Sequence, residues 1–268
     1  MKKKGIFCVH GFLENGLTSY IHFADYLYES GVYDYYLTDL QGHSIDEDIN
    51  TFNYLKCIEK VTEEYKAYLT QYEEVYLIGF SMGGVIASYL ASEFGCKKLV
   101  LVSPAFKYGQ GSQILKDVIH MLHVAKEDEN FSFRELIKAD TNQRKRSIQN
   151  YIDSAYGSKG SSYENFMERL NKVNPTTFIN FTRLVAKLRK KINITDLPVR
   201  IYHAEFDELV PLQSSLYIFN KIKSDNKRLI LMSGVHHRIL SSNVKNEVFE
   251  EILKFFFEDK IENKKLIA

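Results

Sequence analysis

The segment EVYLIGF (74–80) is apolar without alternation, and a helical pattern, MGGVIASYLASEF (82–94), starts one residue after it ends. A strand that is apolar on both faces needs cover on both faces, which is the property of a parallel sheet flanked by helices. The rest of the chain repeats this grammar. Strands are expected at GIFCV (5–9), YDYYLTDL (33–40), KKLVLVSP (97–104), LPVRIYHAE (197–205) and KRLILMSG (227–234). Helical spacing marks 19–30, 53–72, 212–223 and 244–258, with Gly31 closing the first. Strands alternating with helices imply βαβ crossovers, so the fold class is α/β with a mainly parallel sheet of about six strands.

The rhythm breaks once. Residues 106–195 carry helical patterns but no clear strand. They are expected to form a helical lid over the strand ends, inserted into a core made of 1–105 and 196–268. In an open parallel sheet, ligands bind beyond the carboxyl ends of the strands. The residues that follow each strand are therefore the place to look for chemistry.

A serine, an acid and a histidine follow three separate strands. Ser81 stands in the G-x-S-x-G of GFSMGG, Asp207 in DELVP, and His236 and His237 in SGVHHRIL. The five-residue motif alone arises by chance in roughly one chain in ten of this length. Its position between a strand and a helix is what gives it meaning. A sharp turn there lifts a side chain clear of the backbone, and it needs tiny residues two before and two after, here Gly79 and Gly83. The same turn aims the Met82 amide, at the helix N-terminus, toward developing negative charge. A serine hydroxyl is a weak nucleophile until a base takes its proton, and histidine titrates in the right range. A buried carboxylate then orients the imidazole. His10 and His43 also follow strands, but each sits in a glycine turn and reads as a brace between loops.

Composition excludes other classes. Basic and acidic residues balance, 35 against 34, which argues against nucleic acid as a partner. Three scattered cysteines without CxxC spacing suggest neither a disulfide framework nor a metal site. The apolar run that ends at His10-Gly11 is too short for a secretory signal, and no stretch is long enough to insert stably in a membrane. The cytoplasm is the expected location. The runs NQRKRS (142–147) and KLRKK (187–191) read as solvated helix faces.

VHGF, DLQGHS, GFSMGG, DELVP and HRIL, in this order across nearly the whole chain, resemble the α/β-hydrolase superfamily. They are most similar to small bacterial carboxylesterases and monoacylglycerol-lipase-like serine hydrolases. The resemblance implies Ser81 as nucleophile, Asp207 as acid, and a base from the 236–237 pair. His237 is favoured because RIL and the last helix follow it at a better distance. It also implies the Phe12 amide as a second oxyanion donor beside Met82, with the Phe12 side chain lining the pocket. It further implies a minimal sheet that lacks the first antiparallel strands. No metal or organic cofactor is expected, and the partner is a small-molecule ester bound by a monomer or homodimer. Thioester, peptide or C–C bond cleavage would use the same triad, and a non-catalytic binding module is the alternative of a different class. The chain departs from the family pattern in two places: His236-His237 replaces Gly-His, and QGHSIDEDI lacks a second glycine. Phe166, Met167, Phe178, Phe181 and Leu184 could line an acyl site, although helical core packing fits most of them better.

Overall fold

The computed structural model describes residues 3–107, 173–207 and 209–258. Six strands form one sheet in the order β2-β1-β3-β4-β5-β6, and every pairing is parallel. They are β1 (Lys4–Val9), β2 (Tyr35–Leu37), β3 (Glu74–Phe80), β4 (Lys98–Val102), β5 (Val199–Ala204) and β6 (Lys227–Met232). The helices are α1 (Gly16–Glu29), α2 (Tyr54–Leu69), α3 (Met82–Phe94), α4 (Pro175–Leu188), α5 (Leu212–Lys221) and α6 (Lys245–Phe257).

Two apolar layers explain why the central strands are apolar throughout. Phe7, Val9, Leu77, Leu99 and Leu101 face a layer closed by α2, α3, α4 and α5. Ile6, Cys8, Tyr76, Ile78, Val100 and Val102 face a layer closed by α1 and α6. Alternate residues of one strand thus enter different cores, and neither face meets water. Strand β1 lies between β2 and β3, so successive strands are added on opposite sides of it. That switch point leaves a crevice between the loops that follow β1 and β3. Among the described residues, no helix is long and apolar enough to cross a membrane.

Element ends differ from the sequence reading by up to three residues, and two of these differences have a visible cause. Strand β2 covers 35–37 rather than 33–40. Thr38 N–H still donates to Cys8 O at 3.0 Å, but the next residues turn away. Asp39 instead accepts Gly16 N–H on Oδ1 at 3.0 Å, and its carbonyl accepts Lys60 Nζ at 2.6 Å. Helix α1 starts at Gly16, three residues earlier than the periodicity indicated. Asn15 and Thr18 form a reciprocal capping box there: Thr18 N–H donates to Asn15 Oδ1 at 2.8 Å and Asn15 N–H to Thr18 Oγ1 at 2.9 Å.

Most of the expected lid lies outside the described residues, including Phe166, Met167 and the run 142–147. Its last helix, α4, has an Asn174 N-cap that accepts Thr177 N–H at 2.9 Å. Leu184, Val185 and Leu188 of α4 are buried in the layer shared with α2 and α3. Lys187, Arg189, Lys190 and Lys191 are exposed, as expected of a solvated face. Because Leu184 is fully enclosed, Leu184→Ala is expected to lower the unfolding free energy by about 3 kcal/mol. Urea unfolding followed by circular dichroism measures this. A helix that merely rested on the core would leave the transition of the core in place.

Candidate active site

The turn between β3 and α3 is fixed by contact with β1. A Cβ on Gly83 would stand 2.0 Å from Val9 O and 2.5 Å from His10 O. A Cβ on Gly79 would stand 2.4 Å from Gly83 O. Only glycine lets the first turn of α3 sit this close to the sheet. Ser81 joins the two elements at φ 53 and ψ −118, a left-handed conformation that costs a non-glycine residue about 1–3 kcal/mol. The surroundings hold it there: Ser81 N–H donates to Val102 O at 2.9 Å, and Ser81 O accepts Gly84 N–H and Ala105 N–H, each at 3.0 Å. Ser81 occupies the N-cap position of α3, yet its side chain makes no capping bond. The hydroxyl is therefore not spent on the turn.

Asp207 follows β5 and His237 follows β6, and the two meet. His237 Nδ1 lies 2.7 Å from Asp207 Oδ2, with both side chains buried. The other carboxylate oxygen, Oδ1, accepts the amides of Leu209 at 3.0 Å and Val210 at 2.7 Å. Burial by itself would raise the Asp207 pKa. The His237 charge and hydrogen bond, the Val210 amide and the His203 charge outweigh burial and hold it below the ordinary 3.8. An ionised Asp207 accepts only, so the contact selects the imidazole tautomer with its proton on Nδ1 and its lone pair on Nε2. The His237 ring also packs against Phe80, the residue before Ser81, at 5.1 Å between centroids. His236, the alternative base, is exposed.

The loop after β1 completes the crevice. A Cβ on Gly11 would lie 3.3 Å from the Ser81 Cβ, so this loop passes directly over the elbow. Among the described residues, neither the Phe12 amide nor the Met82 amide donates a hydrogen bond. Met82 is the first residue of its helix, where an N–H has no partner within the helix. The Phe12 ring stacks on Phe181 at 4.9 Å and meets Phe178, His43 and Phe52 at 5.6, 5.6 and 5.8 Å. Phe178 and Phe181 of α4 thus pack on the Phe12 ring, while Leu184 is enclosed in the core. His10 braces two loops: its Nε2 accepts Leu40 N–H at 3.0 Å while Nδ1 lies 2.7 Å from Gly11 O. His43 sits 3.2 Å from Gln41 O through Nδ1. The QGHS loop manages without a second glycine because Glu47 Oε2 accepts the amides of Gly42 at 2.7 Å and Ser44 at 3.3 Å.

The profile of the Hydrolase_4 family, described as serine aminopeptidase, S33, matches residues 1–243. The chain belongs to this family of α/β-hydrolases. Solved structures with the same fold include a chain described under LipS and LipT, two metagenome-derived lipolytic enzymes, at 16% identity and a TM-score of 0.64, with 95% of this chain and 94% of that one covered. A soluble variant of monoglyceride lipase from Saccharomyces cerevisiae, in complex with a substrate analog, matches at 17% identity and TM-score 0.63, over 96% and 86%. The meta-cleavage product hydrolase CumD from Pseudomonas fluorescens IP01 matches at 15% and 0.65, over 95% and 91%. At such identities the likeness establishes the fold alone. No curated protein matches the sequence.

This Hydrolase_4 chain also places around the candidate site residues that motif reading passed over. Arg238 Nη1 pairs with Glu14 Oε1, and both side chains are buried. Glu14 Oε2 in turn accepts the Ser19 hydroxyl. Ser103, at φ 44 just past β4, donates its hydroxyl to His237 O at 3.2 Å. His203, buried on β5, hydrogen-bonds Ser215 Oγ through Nδ1 at 2.9 Å. Burial lowers the His203 pKa below 6.5, against the opposing pull of the Asp207 charge. The sequence carried one available signal: a charged residue inside an otherwise apolar RIL turn implies a partner.

The Asp207 shift has a consequence for stability. The carboxyl ionises more readily in the folded chain than in the unfolded one. Its contribution is therefore complete above the ordinary 3.8 and is lost as pH falls through the lower folded value. The stability difference between wild type and Asp207→Asn, from urea unfolding, is expected to be constant from about pH 7 to 5 and to shrink below about pH 4.

Proposed function

We propose that the protein hydrolyses small carboxylic esters through an acyl-enzyme on Ser81. The observation that carries this reading is the 2.7 Å pair of His237 and buried Asp207, set beside a strained elbow whose serine hydroxyl makes no capping bond. Ser81 Oγ attacks the ester carbonyl carbon while His237 Nε2 takes its proton. The Phe12 and Met82 amides receive the negative charge on the carbonyl oxygen. His237 then gives its proton to the departing alkoxide, which leaves as the alcohol. Water, activated by the same Nε2, attacks the acyl-enzyme, and the carboxylic acid departs as Ser81 recovers its proton. Asp207 stays ionised throughout and stabilises the imidazolium.

Family membership supports a hydrolase, and the names of two structural relatives, a lipolytic enzyme and a monoglyceride lipase, favour an oxygen ester as the bond cut. The CumD likeness keeps C–C cleavage by the same triad as the second reading. The insertion at 106–195 is proposed as the cap that selects among acyl and alcohol groups.

A panel of p-nitrophenyl esters from acetate to palmitate, with one thioester, one aminoacyl p-nitroanilide and one meta-cleavage product, tests the assignment. Ester turnover and labelling by a fluorophosphonate are expected for wild type. Ser81→Ala and His237→Ala are expected to lower kcat by about 10⁵-fold, and His236→Ala to leave it within about threefold. Cleavage of the meta-cleavage product in preference to every ester would transfer the assignment to C–C hydrolysis. An unreactive wild type would end the hydrolase reading of this triad.

A further inference from the structure

We propose that the buried Glu14–Arg238 ion pair is a positioning device that ties the oxyanion loop to the base. This inference rests on the ester-hydrolase reading for the roles of Phe12 and His237. Glu14 lies two residues beyond Phe12, and Arg238 follows His237 directly. Residue 13 between Phe12 and Glu14 is Leu13 at φ 65, a backbone conformation that a leucine keeps only when its surroundings impose it. The imposition is visible on both sides. Gly11 is held from behind by His10, whose ring bridges Gly11 O and Leu40 N–H. Glu14 is held from ahead by Arg238 and by the Ser19 hydroxyl. The direction of the Phe12 amide is the quantity that these two anchors set.

The other end of the pair is equally constrained. Arg238 Nη2 donates to Thr18 O at 3.0 Å and reaches Ser241 Oγ at 3.5 Å. One guanidinium therefore ties the loop after β6 to the loop after β1 and to the first turn of α1. Strands β3, β4 and β5 lie between β1 and β6 in the sheet, so this one side chain bridges the loop with the proposed base and the loop with the proposed oxyanion donor across three strand ends. Planarity matters here, because the fork of Arg delivers separate donors to the Glu14 carboxylate and the Thr18 carbonyl.

Glu14 and Arg238 neutralise one another, and removing Glu14 alone leaves an unpaired guanidinium on the residue that follows His237. The remaining titratable and charged neighbours belong to several elements. Asp207 and His203 face His237 from β5 and its loop. His22 on α1 feels Arg238 together with Lys245 and Asp25, and Tyr20 on α1 feels Glu14 and Cys8. None of these is changed in the variants below.

Glu14→Gln leaves the Arg238 charge uncompensated. It is expected to move the acid limb of the kcat/KM profile about half a pH unit lower. Its kcat is expected to fall about 30-fold with KM changed less than about threefold, because the oxyanion contact develops only in the transition state. The double variant Glu14→Gln/Arg238→Met, which removes both charges, is expected to fold, to return the acid limb to its wild-type place, and to keep the low kcat. Arg238→Lys, which keeps the charge but not the fork, is expected to recover the wild-type acid limb and only part of kcat. A second readout needs no turnover: in the Ser81→Ala background, the His237 Cε1–H NMR signal should titrate lower in Glu14→Gln and return in the double variant. An unchanged His237 titration in Glu14→Gln overturns the proposal, as does wild-type kcat in the folded double variant. If wild type cleaves no ester, the hydrolase reading fails separately, and the NMR titration still decides whether the pair acts on the base.

Discussion

The first turn of α3 presses on the end of β1, and the site depends on that contact. The distance from the Gly83 Cα region to Val9 O leaves no space for even a methyl group. To enter a helix that close to the sheet, the chain must turn in one residue, and Ser81 accepts an unfavourable backbone conformation to do so. The strain is offset by three backbone hydrogen bonds at that residue, two of which involve β4 and the segment just beyond it. The same closeness brings the loop after β1 over Ser81 and aligns a free helix N-terminus with it. The placement of Ser81, the nearness of the Phe12 and Met82 amides and the backbone strain are thus consequences of one packing distance.

A parallel sheet with all its strands pointing one way gathers the remaining parts. The loops after β1, β3, β5 and β6 open on the same edge, so groups far apart in the chain become neighbours without any direct connection. Charge at this edge is handled in pairs. Burial would neutralise Asp207, but His237 and two amides keep it ionised. Glu14 and Arg238 satisfy one another a short way along the same loops. Away from the edge, the buried Lys98 amine donates to the carbonyls of Phe255, Phe256 and Glu258 at the end of α6.

Much of this was legible from residues alone, for identifiable reasons. Unbroken apolar runs mark strands covered on both faces, so the six strands and their order in the chain could be read directly. The glycines around Ser81 report a close approach that any homologous side chain would obstruct. The boundaries were less legible where tertiary bonds, not periodicity, set them: Asp39 draws the chain out of β2, and the Asn15–Thr18 box starts α1 before its apolar stripe begins. The QGHS loop looked incomplete without a second glycine, since the compensating Glu47 caps through its side chain rather than through backbone freedom.

By itself, the sequence determined the strand–helix alternation, the tight elbow and the set of groups that could do chemistry, because each is a local matter of periodicity, side-chain size or pKa. Tertiary structure decided which of those groups meet. His236 and His237 are adjacent in the chain and chemically identical, yet one is exposed and the other buried against Asp207. The Glu14–Arg238 pair spans almost the whole chain, and its partners carry no local sign of one another. Pairing across such distances is set by where the sheet places the strand ends, which is a property of the packed core and of no single segment.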